Sequence, residues 1–191
     1  MQLNLTEPFI HRGGCLAMKA IKRWNNEWYL RSLFKDAKVS IEQYDSELDM
    51  QISKCEKAEV YFSDYMDNLN SGEYLPDCAL SELNLDDKIY EDLDNPAYPP
   101  EGRGPVEHLL FLGKDTKSGA HIHIEDDYVL HQIVGKKIVY LMDFEGLTMN
   151  KPWDLYANFS KENFFRLPKS KNHLIHRVEM EPGDVLHIPP W

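Results

Sequence analysis

Hydrophobic and polar positions change rhythm about halfway along the chain. Up to about residue 105, short helical patterns mix with short alternating ones. In Glu27-Trp28-Tyr29-Leu30-Arg31-Ser32-Leu33-Phe34, the residues Trp28, Leu30, Leu33 and Phe34 supply an apolar side. Asn25 and Asn26 stand before it as caps, so a helix is predicted over 27–34. Lys38 to Tyr44 alternates as a half-buried strand does. A second helix is predicted over 64–69, capped by Ser63 and ended by Gly72. Residues 86–105 hold Asp86, Asp87, Pro96, Pro99, Pro100, Gly102, Gly104 and Pro105, the composition of a long surface loop.

From about residue 107 onward the texture is that of strands. Leu109 to Leu112 is a short apolar run, and His121 to Glu125 alternates polar residues with isoleucine. Tyr128 to Val134 reads as a strand, Gly135 as a turn, and Lys137 to Met142 as the next strand. Arg177 to Met180 and Asp184 to Ile188 follow, joined by the turn signal Glu181-Pro182-Gly183-Asp184. Many short strands with frequent turns predict a β-sandwich or barrel. One domain is expected over 1–191, with a helix-and-strand layer over 1–105 and barrel strands over 106–191.

Composition supports a packed core. The chain has 191 residues, 42% of them hydrophobic and 12% aromatic, which suits one domain better than two. Its formal net charge of −11 repels phosphate backbones, so nucleic acid is a poor partner. The short basic stretch Lys169 to Lys171 reads as a solvated loop. Cys15, Cys55 and Cys78 show no paired metal or redox spacing, and so sparse a set points to a reducing compartment. The first 25 residues carry Glu7, His11, Arg12, Lys19, Lys22 and Arg23, unlike a signal peptide. No apolar run approaches the roughly 20 residues needed to span a bilayer. A soluble cytoplasmic protein with no membrane partner is the expectation.

The candidate chemistry lies in Ser118-Gly119-Ala120-His121-Ile122-His123-Ile124-Glu125-Asp126-Asp127. In a strand, residues two apart share a face. His121, His123 and Glu125 would then line one side, and imidazole with carboxylate at that spacing can grip a cation. Two His and one carboxylate with open positions opposite suit non-haem Fe(II). A solvated strand with alternating polar residues explains the same pattern.

Here the sequence resembles the JmjC, or cupin-like, hydroxylase family. The motifs that carry the resemblance are His123-Ile124-Glu125 for H-x-D/E and Gln132-Ile133-Val134-Gly135-Lys136-Lys137 for Q-(V/I)-x-G-x-K. To these it adds Pro182-Gly183-Asp184-Val185-Leu186-His187-Ile188-Pro189 for P-G-(D/E)-x-L-x-I-P. Trp24 with the helix and strand after it resembles the family's entry segment. Phe62 to Met66 followed by Glu73-Tyr74-Leu75 resembles its helix and subsequent Tyr-Leu. The resemblance implies a double-stranded β-helix (jelly-roll) barrel with flanking helices. It also implies an Fe(II) enzyme that couples decarboxylation of 2-oxoglutarate to hydroxylation of a C–H bond, by analogy on a protein or peptide side chain. The family pattern expects the distal iron-binding His just past Trp191, so the barrel is expected to be incomplete at its C-terminal end. Relatives often dimerise through later helices, which implies a homodimer for a longer form.

The resemblance assigns His123 and Glu125 as metal ligands. His121 stays open as the leading residue, since a His121-Ile122-His123 motif would replace the carboxylate by imidazole. It makes Lys137 the lysine that binds the far carboxylate of 2-oxoglutarate, against the plainer reading of a surface lysine after a turn. Tyr74 is similar to a tyrosine that donates to that carboxylate in the asparaginyl hydroxylase of hypoxia-inducible factor, or is an ordinary core tyrosine. Tyr128 stands where many relatives have Asn near the cosubstrate, and Ala120 where they have Thr or Ser. His173, His176 and His187 are weaker candidates for a third ligand. The competing readings are a metal-only cupin and a non-catalytic binding module.

Overall fold

The computed structural model describes residues 7–43, 56–69, 74–94, 106–118, 127–142 and 175–190. The chain divides into two compact units. Residues 18–118 form one, and residues 1–17 together with 119–191 form the other. Among the described residues, nine strands and four α-helices alternate in a β-rich order.

In the 18–118 unit, helix α1 (Lys19–Arg23) precedes α2 (Glu27–Phe34), strand β2 (Lys38–Gln43) and strand β3 (Glu56–Tyr61). Helix α3 (Phe62–Asp67), strand β4 (Tyr74–Ala79), helix α4 (Lys88–Leu93) and strand β5 (Leu109–Gly113) complete it. The strands make an antiparallel sheet in the order β3-β2-β4-β5. Helix α2 has the predicted span. Asn26 caps it, its side chain accepting from the Tyr29 N–H at 3.3 Å. Leu30, Leu33 and Phe34 are its buried side, while Trp28 points out at 83% exposure.

Helix α3 starts earlier than predicted. Tyr61, not Ser63, occupies the N-cap, without a side-chain capping bond. The start is set by packing. Phe62 stacks on Phe34 with ring centroids 3.9 Å apart, and its N–H donates to Ala37 O at 2.9 Å. Tyr65 O–H then donates to Leu112 O at 2.7 Å and ties the helix to β5.

The stretch predicted as a long surface loop contains α4. Ile89 and Asp92 are fully buried there. The Asp92 carboxylate accepts from Arg23 at 2.7 Å, Trp24 Nε1 at 3.0 Å and the Tyr29 hydroxyl at 2.7 Å. Those donors lie more than 60 residues away in sequence, so local composition could not reveal them.

In the other unit, strands β1 (Phe9–His11), β6 (Tyr128–His131) and β9 (Val185–Ile188) form an antiparallel sheet with β9 in the centre. Strands β7 (Lys137–Met142) and β8 (Ile175–Met180) pair as an antiparallel two-stranded sheet. Met180, Val185, Leu186 and Cys15 are buried.

Strand β6 ends at His131, three residues short of the predicted end. Gln132 turns away to exchange backbone bonds with the 183–184 turn, accepting from Gly183 N at 2.8 Å and donating to Asp184 O at 2.9 Å. Two turns rest on glycine as predicted, Gly135 at φ +70° and Gly183 at φ +101°. A methyl group on Gly183 would stand 2.5 Å from Leu16 Cδ2. The predicted turn 181–184 is closed by its own aspartate. Asp184 accepts from Glu181 N at 3.0 Å, Gly13 N at 3.1 Å and Arg12 at 2.6 Å.

Candidate functional site

The segment with the candidate metal ligands, His121, His123 and Glu125, lies outside the described residues, as does His173. The chain is described again at Asp127, where β6 is about to begin. Tyr128 is the first residue of β6 and stands opposite Ile188 of β9. Lys137 is the first residue of β7, opposite Met180, and is half-buried. Side chains alternate along a strand. Lys137 therefore shares a half-buried face of β7 with Val139 and Leu141, while Ile138 and Tyr140 lie on the other face, each about half exposed. Tyr74 opens β4, its backbone paired with Glu42 and Gly113. Tyr128 and Lys137 belong to one unit and Tyr74 to the other.

Of the weaker ligand candidates, His176 is exposed on β8 opposite Leu141. His187 is 3% exposed at the centre of the β1-β9-β6 sheet. Its Nε2 lies 2.9 Å from Asp127 Oδ1, and Phe9 stacks obliquely on its ring at a centroid distance of 5.0 Å. An ionised carboxylate can only accept, so Nε2 carries the hydrogen and donates it. The register puts His187 beside Val129 and Phe9, and Val185 beside His131 and His11. Asp127, Val129 and His131 therefore line the same sheet face as His187, while Tyr128 lies on the opposite one.

The Asp127–His187 pair is not apparent in the sequence. Alternation alone marks Asp127, Val129 and His131 as one face of a strand, but the partner is 60 residues away.

Electrostatics in this unit centre on Asp184. Burial acts to raise its carboxyl, but the bonds from Glu181 N–H, Arg12 and Gly13 N–H outweigh it and hold the group below its ordinary 3.8. Burial, followed by the charge of Asp184, pushes the Cys15 thiol up to about 11. That thiol stays protonated at neutral pH and is a poor nucleophile.

Among the described residues no three His, Cys, Asp or Glu side chains come together as a cation site. The donor types of the 121–125 segment, imidazole and carboxylate, fit Fe(II), and an ammonium such as that of Lys137 fits a carboxylate. The profile of the cupin-like domain matches residues 2–191. The chain belongs to the cupin-like domain family. No curated protein matches it in sequence. The β-rich order of elements agrees with a cupin-like domain. No helix among the described residues is long and apolar enough to cross a membrane.

Proposed function

We propose that this cupin-like chain is an Fe(II)- and 2-oxoglutarate-dependent oxygenase of the JmjC type, built on a double-stranded β-helix, that hydroxylates a protein side chain. The carrying observation is the family match across residues 2–191, which takes in all three motifs in order. Bound iron would supply activation of O2 coupled to decarboxylation of 2-oxoglutarate. His123 and Glu125 hold the metal, with His121 as the alternative leading residue. Lys137 anchors the far carboxylate of 2-oxoglutarate. Its ammonium is the kind of group that pairs with a carboxylate, and the motif spacing places it at the start of β7. By the family likeness, Tyr74 and Tyr128 are the further candidates for binding the cosubstrate. The protein substrate follows from that likeness and from the acidic chain's poor fit to nucleic acid.

Anaerobic Fe(II) titration with and without 2-oxoglutarate tests this reading. The expected result is a weak visible charge-transfer band that requires both components. His123→Ala should abolish it, and Lys137→Ala should raise the 2-oxoglutarate concentration needed by tenfold or more, on the order of one charge-assisted contact. Iron that binds identically with or without 2-oxoglutarate, indifferent to Lys137, would instead support the metal-only cupin. No binding at all would support a non-catalytic module.

A further inference from the structure

Two features outside the proposed ligands carry nothing further. The Asp92 carboxylate is satisfied by its own three donors. The face of β7 with Ile138 and Tyr140 is half exposed, but nothing in the structure shows what would cover it. The N-terminal segment, residues 9–15, carries an argument of its own.

We infer that residues 9–15 are an exchangeable strand: the edge of β9 and the 181–184 turn accept this segment from a second copy of the chain as well as from their own. The inference is independent of the oxygenase reading. Residues 1–17 form one compact unit with residues 119–191, and the 18–118 unit stands between them in the chain. The segment is therefore tied to the surface that binds it only by way of another folded unit. Cys15 is buried, Leu16 and Ala17 are exposed, and Met18, where the 18–118 unit begins, is buried. Two exposed residues make the connector, so the Cα atoms of Cys15 and Met18 are at most about 11 Å apart. So short a hinge restricts how both units dock within one copy, and short hinges invite exchange between copies.

What the segment gains on docking does not depend on which copy supplies it. Phe9, Ile10 and His11 pair with His187, Leu186 and Val185 in an antiparallel ladder, and the Phe9 ring lies 5.0 Å from that of His187. Beyond the ladder, Arg12 donates to Asp184 Oδ2 at 2.6 Å and to Glu179 O at 2.7 Å. The Gly13 N–H donates to Asp184 Oδ1 at 3.1 Å, and the Cys15 N–H to Gly183 O at 2.8 Å. Strand addition of this kind takes its affinity from main-chain bonds, and the Arg12–Asp184 pair adds opposite charges on the two sides. Two copies that exchange segments make every one of these contacts twice about a two-fold axis, which closes the assembly as a dimer. Within one copy the segment is present at an effective concentration on the order of millimolar. The exchanged dimer therefore forms when chains refold together at high concentration, and it survives dilution because each return requires undocking.

Charge reversal across the clasp tests this on the full chain. Arg12→Glu sets two carboxylates against each other and Asp184→Arg two guanidiniums, so each variant breaks its own clasp. In an exchanged pair with one chain of each, the substituted position 12 meets the substituted position 184, and the native Arg12 meets the native Asp184. Both clasps are then restored. The variants are unfolded in urea and refolded together in physiological salt, which screens the net charge of −11 beyond about 8 Å. Native mass spectrometry of the mixture should show a heterodimer at least tenfold more abundant than the homodimer of either variant refolded alone. Only monomers in the mixture, or as much dimer from one variant alone, would overturn the inference. Should either variant fail to fold, a disulfide decides the matter. Ile10→Cys with Leu186→Cys places two thiols at paired positions of β1 and β9. Refolded at high concentration and oxidised, that double variant should run as a covalent dimer on a non-reducing denaturing gel, where the wild type does not. A covalent dimer supports exchange, and a band at monomer mass alone refutes it.

Discussion

Among the described residues, each of the two compact units contains one buried aspartate, and the two are satisfied by different means. Asp92 in the 18–118 unit is completely buried, and its carboxylate accepts from three side chains, Arg23, Trp24 and Tyr29. Asp184 in the other unit is 6% exposed and takes two of its bonds from backbone N–H groups, at Glu181 and Gly13, with Arg12 as the third donor. One node assembles helices that are far apart in sequence. The other closes its own turn and clasps a neighbouring loop. The first is invisible to local sequence reading, and of the second only the bond from Glu181 N–H is local, since Gly13 and Arg12 lie more than 170 residues away.

The sharpest way to break this comparison is Asp92→Ala. It strands the buried indole N–H of Trp24 and leaves Arg23 and Tyr29 without their shared acceptor. Stranding that buried donor costs about 3 kcal/mol, since Arg23 is partly exposed and rehydrates, and urea unfolding should show a loss of that size. A loss below about 1 kcal/mol, the scale of an exposed ion pair, would mean that helix packing alone holds α4 in place.

Asp184→Asn should cost less, about 2 kcal/mol, because the Gly13 N–H still finds an oxygen and Arg12 is largely exposed. Its pH dependence is the better measurement. The folded carboxyl lies below its ordinary 3.8, so above that value the ionised form contributes stability in full. As the pH falls through 3.8 towards the folded value, the unfolded chain binds the proton first and the contribution is lost. The wild type should therefore lose stability more steeply than Asp184→Asn as acid is added below about pH 4. Parallel curves would show that Asp184 does not hold its turn through charge.

The smallest effect tests how local the second node is. Gly183→Ala adds a Cβ at φ +101°, beside the end of the Leu16 side chain. A loss of about 1–2 kcal/mol is expected, since the conformation is strained and Leu16 must shift. Thermal unfolding of the variant measures it, and an unchanged midpoint would show that the turn can adopt another backbone.

The oxygenase site divides along the same line. The candidate ligands and Lys137 come from motif spacing along short stretches. Lys137 begins β7 as predicted, on its half-buried face and opposite Met180. Helix α2 and strand β7 were readable because their period and flanking signals sit within a few residues. Helix α4 was not, because its Asp and Pro neighbours resemble a loop until Arg23, Trp24 and Tyr29 arrive from α1 and α2. His187 was read as a strand residue, but nothing local showed that it meets Asp127.

By itself, the sequence determined the strands β2 and β5 to β9 but not β1, β3 or β4, where Gly135 and Gly183 turn the chain, and which residue types could serve iron and 2-oxoglutarate. Tertiary structure decided that Phe9 to His11 pairs with β9, that Asp92 is a buried hub and that His187 clasps Asp127. The physical reason is range. Periodicity, capping and turn chemistry act over a few residues. A buried polar group is satisfied by whatever the fold brings to it, here from 60 residues away or more.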